Sequence, residues 1–405
     1  MRRARQIALA LSVLAIAACS SPASGGPAPD ASPSPRPSSV AMTPRAIVEA
    51  LSADALNGRD NSTPGSLAAQ KILVGQVSQF AKPGFPSTPG DAGFLQHFDG
   101  GTNIIAVIPG GDLADQYVVI GAHYDHLGTD CRTSDPKDHI CNGATDNAAG
   151  VAAAISTARS LAAHGTPRRS IVLALWDREE DGLLGSQYYT TAPVAPMTKT
   201  VAYVNFDIQG ANLLPSLTTT TLLLGAETGG PNLVAAATAA SKASTLRTLQ
   251  FSLLFGEGRS DHVNFADSGI PSVFFTDSTS ACYHTAQDAS TIVDYPKLDQ
   301  EIATATALSD NLARTDTPPV FAGVSSQGTY ADAVAMLPIA TAASTNANRF
   351  DRAGQTIVKE YSSAVQKIVT AGPTAFDQAA DSALLTGAPG LVEAVTQGPC
   401  EAFHR

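Results

Sequence analysis

Short runs of apolar residues alternate with longer Ala-rich segments along most of the 405-residue chain. The short runs are rich in Val, Ile, Leu and Phe and are bounded by Gly, Pro or Asp, a pattern typical of buried strands. The predicted strands are 103–109, 116–122, 171–176, 200–206, 217–224, 252–255 and 271–276. We expect the first two to be neighbours in a sheet. The predicted helices are 44–56, 66–80, 146–164, 231–242, 261–267 and 298–314.

This alternation of strands and helices predicts an α/β fold, with a mostly parallel central sheet and helices on both of its faces. The pattern changes near Thr317, where Pro318 and Pro319 precede an Ala-rich stretch that continues to the C-terminus. That stretch predicts several helices, without catalytic chemistry, that cover one flank of the sheet. We therefore expect a catalytic domain at 43–315 and a helical extension at 316–405.

The N-terminus has the composition of an export signal. Residues 1–18 combine a basic start with an apolar segment too short to cross a bilayer, and small residues precede Cys19. This arrangement is similar to a bacterial lipoprotein signal, in which the cysteine is lipidated; simple secretion is the alternative. Residues 20–39 are mostly Ser, Pro, Ala and Gly, which predicts a disordered tether over 19–42. We expect an extracytoplasmic protein that is lipid-anchored to the bacterial cell membrane, or secreted.

The charge of the chain disfavours one class of partner. It carries 25 Lys and Arg against 36 Asp and Glu, a net charge of −11, and no basic run follows residue 5. A protein that binds nucleic acid is expected to present a basic face, so we expect no nucleic-acid partner. The sequence does not indicate an oligomeric state.

Export permits disulfide bonds. Besides Cys19, the chain contains Cys131, Cys141, Cys282 and Cys400. Four cysteines allow three pairings. The short separation favours a bond between Cys131 and Cys141, which leaves Cys282 for Cys400, and free thiols are the alternative.

Two adjacent carboxylates, Glu179 and Glu180, follow the predicted strand 171–176. Side by side at the end of a buried strand, they repel each other and are costly to remove from water. A divalent cation would relieve both problems by binding one carboxylate and leaving the other free as a base. His123 and Asp207 also fall at predicted strand ends, where ligands gather in α/β sheets.

Five residues have the side chains required for a site with two metal ions: His123, Asp146, Glu180, Asp207 and His284. Mixed imidazole and carboxylate ligands favour zinc. Asp125 is placed to accept a hydrogen bond from the second imidazole nitrogen of His123. Glu179 would act as the general base and later protonate the leaving amine. We interpret His126 and His262 as supporting or capping residues rather than ligands.

Six motifs occur in the order and spacing of the secreted di-zinc aminopeptidases, a family that also contains glutamate carboxypeptidases and glutaminyl cyclases. The motifs are HYDHLG, GATDNAAGVAAA, DREEDGLLGS, NFDIQG, GRSDHVNFADSGIP and CYHTAQD. The resemblance spans about residues 43–314, and the chain is similar to the bacterial leucyl aminopeptidases. It implies the zinc exopeptidase fold, which is phosphorylase/hydrolase-like.

The resemblance also implies two zinc ions per chain and a role for each motif. The implied ligands are His123 and Asp207 on one ion, Glu180 and His284 on the other, and Asp146 as the bridge. Glu179 is implied as the base, and Tyr283 as a hydrogen-bond donor to the developing oxyanion. Arg259 matches a position near the substrate backbone.

Together these features predict a zinc-dependent metallo-exopeptidase that removes N-terminal residues from peptide substrates. A carboxypeptidase acting on acidic dipeptides would need a basic pocket, which no motif indicates. A glutaminyl cyclase would use one zinc ion, whereas five candidate ligands favour two. A non-catalytic binding module is disfavoured because the base and the ligands are all present.

Overall fold

The computed structural model describes residues 40–404 except Ser134 and Pro136, so Cys19 and the predicted signal and tether up to residue 39 lie outside the described residues. The strands are β1 Lys82–Pro83, β2 Leu95–Phe98, β3 Gly101–Ile108, β4 Leu113–His123, β5 Arg169–Trp176, β6 Thr200–Phe206, β7 Thr220–Leu224, β8 Arg247–Phe251 and β9 Ser272–Thr276. The helices are α1 Pro44–Leu51, α2 Pro64–Val77, α3 Ala149–Ala163, α4 Leu184–Thr191, α5 Gly230–Ala240, α6 His262–Asp267, α7 Tyr295–Arg314, α8 Tyr330–Thr345, α9 Arg352–Ala371 and α10 Gln378–Thr396.

The nine strands of the described chain form one sheet in the order β1-β3-β5-β4-β6-β9-β7-β8, with β2 paired to β3. The centre of the sheet is parallel, since β4 pairs with β5 and β6, and β6 pairs with β9. Antiparallel pairs join β3 to β5 and β7 to β9. The predicted α/β class is confirmed, and the sheet is mixed.

Alternate residues of the central strands face opposite sides of the sheet, as the period of two requires. Val118 and Ile171 pack with the buried residues of α3 and α7 on one side. Val119 and Val172 pack with Tyr189 of α4 on the other side. Both faces of the central strands are therefore covered.

Two expectations about the strands are wrong. β3 and β4 are not neighbours, because β5 lies between them and pairs with both. Residues 252–255 are not a strand: β8 ends at Phe251, and Leu253–Gly256 forms a 3₁₀ turn. The short strands β1 and β2 were not predicted, because the segments KP and LQHF are too short to show an apolar pattern.

The last three helices cover one flank of the sheet, as expected. Buried residues of α8, α9 and α10 share an apolar cluster with Leu222, Leu249 and Phe274 of the strands β7, β8 and β9. A capping box of Thr329 and Asp332 begins α8. The proposed boundary between 43–315 and 316–405 stays a prediction.

Both favoured disulfide bonds are present, Cys131–Cys141 and Cys282–Cys400. The second bond joins the C-terminal segment to the loop that follows β9. Among the helices of the described residues, none has the length and apolar character needed to cross a membrane.

Candidate active site

Four candidate residues lie where the central parallel strands end. His123 is the last residue of β4, and Asp207 directly follows β6. Glu179 and Glu180 lie in the turn after β5. Because neighbouring parallel strands end at the same edge of a sheet, side chains from three separate motifs converge there.

Asp146 and His284 reach the same edge from two loops. Asp146 belongs to an irregular turn, Ala144–Ala148, that leads into α3, and its peptide bond to Asn147 is cis. The side chain of Asn147 donates a hydrogen bond of 2.9 Å to the carbonyl of Phe206, the last residue of β6. This bond holds the turn against the sheet. His284 lies in the long connection between β9 and α7.

Asp125 positions three of the candidate residues. Its two carboxylate oxygens accept hydrogen bonds of 3.2 Å from the backbone N–H groups of Glu179 and Glu180. Nδ1 of His123 lies 3.5 Å from the same carboxylate and 3.3 Å from the Asp125 carbonyl oxygen. With Nδ1 turned toward Asp125, the imidazole presents Nε2 to the other carboxylates.

One group of candidate ligands surrounds Nε2 of His123. This atom lies 3.3 Å from Oδ1 of Asp146, 3.4 Å from Oδ1 of Asp207 and 3.9 Å from Oε2 of Glu179. The ligand atoms of His123, Asp146 and Asp207 all lie within 4.8 Å of one another, which is close enough for one ion to contact all three.

A second group uses the other oxygen of Asp146. Nε2 of His284 lies 3.2 Å from Oδ2 of Asp146 and 3.2 Å from Oε2 of Glu180. His126 also enters this group, because its Nδ1 lies 2.7 Å from Oε1 of Glu180 and 4.0 Å from Oδ2 of Asp146. Asp146 thus stands between two groups with one oxygen toward each.

The polar atoms of the second group are arranged to bind a divalent metal ion rather than to form hydrogen bonds with one another. Oδ2 of Asp146 and Nε2 of His284 are both buried, and neither makes a hydrogen bond of ordinary geometry within the described chain. Buried polar atoms are normally satisfied, so unsatisfied atoms 3.2 Å apart indicate that both point at a shared partner. A cation placed between them would satisfy both. Nε2 of His126 is likewise buried without a partner among the described residues.

Glu179 has the environment expected of a general base. Burial raises its pKa well above the usual value, Asp207 and Asp261 add to the effect, and His123 opposes it. A carboxylate whose pKa is raised in this way accepts a proton more readily than a solvated glutamate does.

Arg59, which sequence reasoning missed, holds the loops around the site. Its fully buried guanidinium donates hydrogen bonds to five carbonyl oxygens. These carbonyls belong to Leu51, Tyr124, Asn142, Gly143 and Asp146. One side chain therefore joins the end of α1, the residue after His123 and the turn that carries Asp146.

Tyr283 and His284 lie side by side in a loop that Arg132 holds through two hydrogen bonds. Their rings stack with centroids 3.8 Å apart. Arg132, next to Cys131, donates a side-chain hydrogen bond of 2.9 Å to the Tyr283 carbonyl and a backbone hydrogen bond of 3.1 Å to the His284 carbonyl. Burial raises the pKa of the Tyr283 phenol, and Asp146 and Glu180 add to the effect, so the phenol stays protonated and able to donate.

The remaining predicted residues are placed as follows. Arg259 lines the cavity beside the site but forms an ion pair of 2.9 Å with Glu257. His262 is buried, stacks on Phe274 and belongs to neither group of candidate ligands.

A cavity of about 130 Å³ opens beside the ligand groups. Its polar end is lined by Asp146, Glu179, Glu180 and Asp207. The rest of its wall is mainly apolar and includes residues of β7, β8 and β9. This cavity is the place where a substrate can reach the convergent carboxylates and imidazoles.

The sequence model of peptidase family M28 matches residues 103–309, just over half of the chain. The matched range begins before β4 and ends within α7, so it contains both groups of candidate ligands. The chain belongs to peptidase family M28.

Two related proteins are similar to this chain over different lengths. Leupeptin-inactivating enzyme 1 of Streptomyces exfoliatus is 27% identical over 328 residues, which cover 70% of this chain and 67% of that enzyme. A probable zinc metalloprotease of Pyrenophora tritici-repentis is 35% identical over 111 residues, which cover 27% of this chain and 24% of the relative. The chain thus matches from about a quarter to two thirds of the length of these two relatives.

Solved structures show the same fold. The Legionella pneumophila LapA aminopeptidase superposes with a TM-score of 0.55 at 21% identity, over 68% of this chain and 72% of that one. The Porphyromonas gingivalis glutaminyl cyclase superposes with a TM-score of 0.52 at 21% identity, over 66% of this chain and 97% of that one. An aminopeptidase and a cyclase are similar to this chain to nearly the same degree, so the fold does not distinguish between the two activities.

Proposed function

We propose that this protein is a zinc-dependent aminopeptidase that removes N-terminal residues from peptides with two zinc ions. The observation that carries the proposal is the position of Asp146, which directs one carboxylate oxygen to the group around His123 and the other to the group around His284. Glu179 lies beside the first group. Membership of a peptidase family and relatives named as zinc metalloproteases support the same chemistry.

Each ion would have its own pair of ligands in addition to the bridge. His123 and Asp207 would hold one ion, Glu180 and His284 the other, and Asp146 would contact both. Imidazole and carboxylate ligands in this ratio suit zinc. His126 would orient Glu180 through the 2.7 Å contact between Nδ1 and Oε1.

The bound zinc ions would polarise the scissile carbonyl and make water a stronger acid. The protein's own groups then carry the proton transfers. Glu179 would take a proton from the attacking water and deliver it to the leaving amine, as its raised pKa allows. Tyr283 would donate a hydrogen bond to the oxygen on which negative charge develops.

The charge of the cavity favours a substrate with a free amine. The described lining contains five carboxylates, those of Asp146, Glu179, Glu180, Asp207 and Glu257, and a single guanidinium, that of Arg259. That guanidinium is already paired with Glu257. The two ions would neutralise the three carboxylates that hold them, which leaves Glu179 to attract a positively charged N-terminus. No basic side chain of the described lining is left unpaired to bind the acidic side chain of a dipeptide that a carboxypeptidase would select.

The test is turnover of a panel of aminoacyl-nitroanilides by the zinc-loaded protein, with and without a chelator. The proposal predicts release that the chelator abolishes and that Glu179→Gln lowers by a factor on the order of a hundred or more, with unchanged zinc content. Elemental analysis should find two zinc ions per chain. One ion per chain, together with cyclisation of N-terminal glutamine and no nitroanilide release, would establish the cyclase instead.

The proposal extends to the location of the enzyme. An exported, lipid-anchored protein would acquire its disulfides in an oxidising compartment, which agrees with Cys131–Cys141 and Cys282–Cys400. Cys19→Ala should move the protein from the membrane fraction to the soluble fraction. An unchanged distribution between the two fractions would contradict the lipid anchor.

A further inference from the structure

The cavity has two chemically different parts. Beside the candidate ligands it is lined by carboxylates, and beyond them its wall is made of Leu, Phe, Met, Ile and Val side chains. From the sheet, the apolar part takes Leu222, Leu224, Phe251 and Phe274. Such a wall cannot bind the polar backbone of a peptide, but it can bind an apolar side chain.

The far wall of the apolar part comes from the C-terminal helices. Met336 and Ile339 of α8 line the cavity, and so do Leu391, Val392 and Val395 of α10. The matched family region ends at residue 309, so these helices lie outside it. They belong to the segment in which the sequence indicated only a structural cover.

The helices are held to the catalytic region by specific contacts. Asp332, in the first turn of α8, accepts hydrogen bonds of 2.7 and 2.8 Å from the backbone and hydroxyl of Ser252. Thr396, at the end of α10, lies 3.2 Å from the hydroxyl of Thr279. A wall fixed at both helices can discriminate between side chains by size, because it cannot move aside at low cost.

The Cys282–Cys400 bond adds a covalent connection close to the site. Cys282 directly precedes Tyr283 and His284, and Cys400 lies four residues after the end of α10. The loop that carries a candidate ligand and the helix that lines the cavity are thus joined. The cavity wall and the candidate ligands are therefore covalently and structurally connected.

We infer that α8 and α10 form the specificity wall of the enzyme and select substrates with a long aliphatic side chain, such as Leu or Met, at the N-terminal residue. This inference rests on the proposed aminopeptidase function. The substrate's amine and scissile carbonyl lie at the carboxylate end, and its side chain extends toward Met336 and Leu391.

The size of the cavity agrees with this substrate class. Its volume of about 130 Å³ is close to that of an engineered apolar cavity of roughly 150 Å³ that binds benzene. Benzene has six carbon atoms, and a Leu or Met side chain has four heavy atoms. One methylene in an apolar pocket changes kcat/KM by roughly 10- to 200-fold, and the Leu side chain has three more carbon atoms than that of Ala, so Leu should exceed Ala by a factor on the order of a thousand.

Three variants of the full chain test the wall. Met336→Trp fills the cavity from α8, and Leu391→Ala enlarges it from α10. Val334→Trp is the matched control, because Val334 lies on α8 two residues from Met336 but is 41% exposed. Far-ultraviolet circular dichroism and zinc content establish that each variant is folded and loaded.

The readout is kcat/KM for leucyl-, phenylalanyl- and alanyl-nitroanilide. Met336→Trp should lose about tenfold or more on the leucyl substrate while the alanyl substrate changes by less than about threefold. Leu391→Ala should raise the ratio of phenylalanyl to leucyl turnover, and Val334→Trp should match the wild type. If neither the leucyl-to-alanyl ratio in Met336→Trp nor the phenylalanyl-to-leucyl ratio in Leu391→Ala differs from the wild-type ratio, the inference is overturned while the aminopeptidase function stands.

Direct binding measurements test the assignment of the cavity wall independently of the proposed aminopeptidase function. Calorimetry of leucine hydroxamate and alanine hydroxamate with the zinc-loaded protein does not require turnover. Tighter binding of the leucine compound, lost in Met336→Trp, would support the wall even if no nitroanilide is cleaved. Equal binding of both compounds to the wild type would reject it.

Discussion

Replacement of Arg59 by Met should destabilise the protein strongly, although Arg59 contacts neither candidate ligand side chains nor the cavity. Its guanidinium is fully buried and donates to five carbonyl oxygens. Met preserves most of the apolar stem but supplies no donor. The five carbonyls would then lie in the interior without that partner.

The magnitude follows from the number of acceptors. A buried polar group left without its partner costs about 1–3 kcal/mol, so five carbonyls at the low end of this range cost about 5 kcal/mol. The variant also avoids burying a charge that makes no hydrogen bond to a carboxylate, which offsets part of the cost. We expect a net loss of about 3–5 kcal/mol, a large fraction of the stability of a typical domain.

Urea unfolding followed by fluorescence measures this loss. Trp176 is the single tryptophan, is fully buried in β5 and lies three residues before Glu179, so its emission reports on the core beneath the site. Arg45→Met is the matched control, because Arg45 is exposed and paired with Glu49 in an i,i+4 contact. The control should change stability by less than about 1 kcal/mol.

The site provides a second readout of the same variant. Arg59 bonds the carbonyl of Asp146 and both carbonyls that precede its turn, so the turn should loosen when Arg59 is lost. Loss of such support lowers metal affinity by about 10- to 100-fold. If Arg59→Met unfolds at the same urea concentration as Arg45→Met and binds zinc as the wild type does, Arg59 does not organise the site.

Three further changes test other contacts. Lys297→Met would leave the buried carboxylate of Asp277, which lies 2.9 Å from the Lys297 ammonium, without its cation. The free energy of unfolding in urea should fall by about 3–5 kcal/mol. A fall below about 1 kcal/mol would refute a stabilising role for this ion pair. Burial lowers the pKa of His262 to about 3, below the unfolded value of 6.5, so stability is lost as pH falls below 6.5. Between pH 7 and pH 5 the free energy of unfolding should therefore fall by about 2 kcal/mol less in His262→Leu than in the wild type. Equal falls in the two proteins would contradict the lowered pKa of His262. Replacement of both Cys282 and Cys400 by Ala removes their disulfide bond and should lower the free energy of unfolding by about 2–5 kcal/mol. An unchanged thermal unfolding temperature would show that the bond does not stabilise the fold.

The candidate ligands were predictable because each lies in a short motif next to an element with a clear pattern. His123 and Asp207 end apolar strands, and the pair Glu179 and Glu180 follows another. The ends of parallel strands meet at one edge whatever the order of the strands. The convergence of these side chains therefore does not depend on the error in the predicted sheet, the placing of β3 next to β4.

The order of the strands was harder to predict, because it depends on which long-range pairs form. β5 separates β3 from β4 although more than 60 residues separate β3 from β5 in the chain. The apolar pattern of β3 and β4 is that of buried strands and gives no information about which strand lies next to which.

Arg59 could not be assigned from the sequence for a different reason. Arginine is almost never fully buried unless it is paired, so a lone Arg in a turn-rich segment is expected at the surface. Here the chain reverses through Asn57, Gly58 and Arg59, all with positive φ, and this reversal directs the side chain inward. Only the folded loops supply the five carbonyls that satisfy it.

The C-terminal wall was predicted as a cover but not as part of the cavity. In α8 the apolar residues are spread around the helix, so the sequence does not indicate which face meets the sheet. Met336 and Leu391 approach the site because α8 and α10 pack on β7, β8 and β9 and are bonded to Ser252 and Thr279, over 80 and 117 residues of sequence. Composition alone could not place them beside the candidate ligands.

The distribution of charge explains why the candidate base has a raised pKa. Several carboxylates at this edge of the sheet are buried, among them those of Asp125, Asp146, Glu179, Asp207, Asp261 and Asp288, and that of Glu180 is only slightly exposed. The buried cation among them, Arg59, gives its hydrogen bonds to carbonyls. So many buried negative charges are tolerated only if cations or protons bind to them. Burial raises the pKa of Asp261 to about 7 and that of Glu179 well above its usual value. Two divalent ions would neutralise most of this excess, and the carboxylate that stays free of the ions remains the one best placed to exchange a proton. In the proposed mechanism that carboxylate is Glu179, whose closest oxygen lies 3.9 Å from Nε2 of His123, whereas oxygens of Asp146 and Asp207 lie within 3.4 Å.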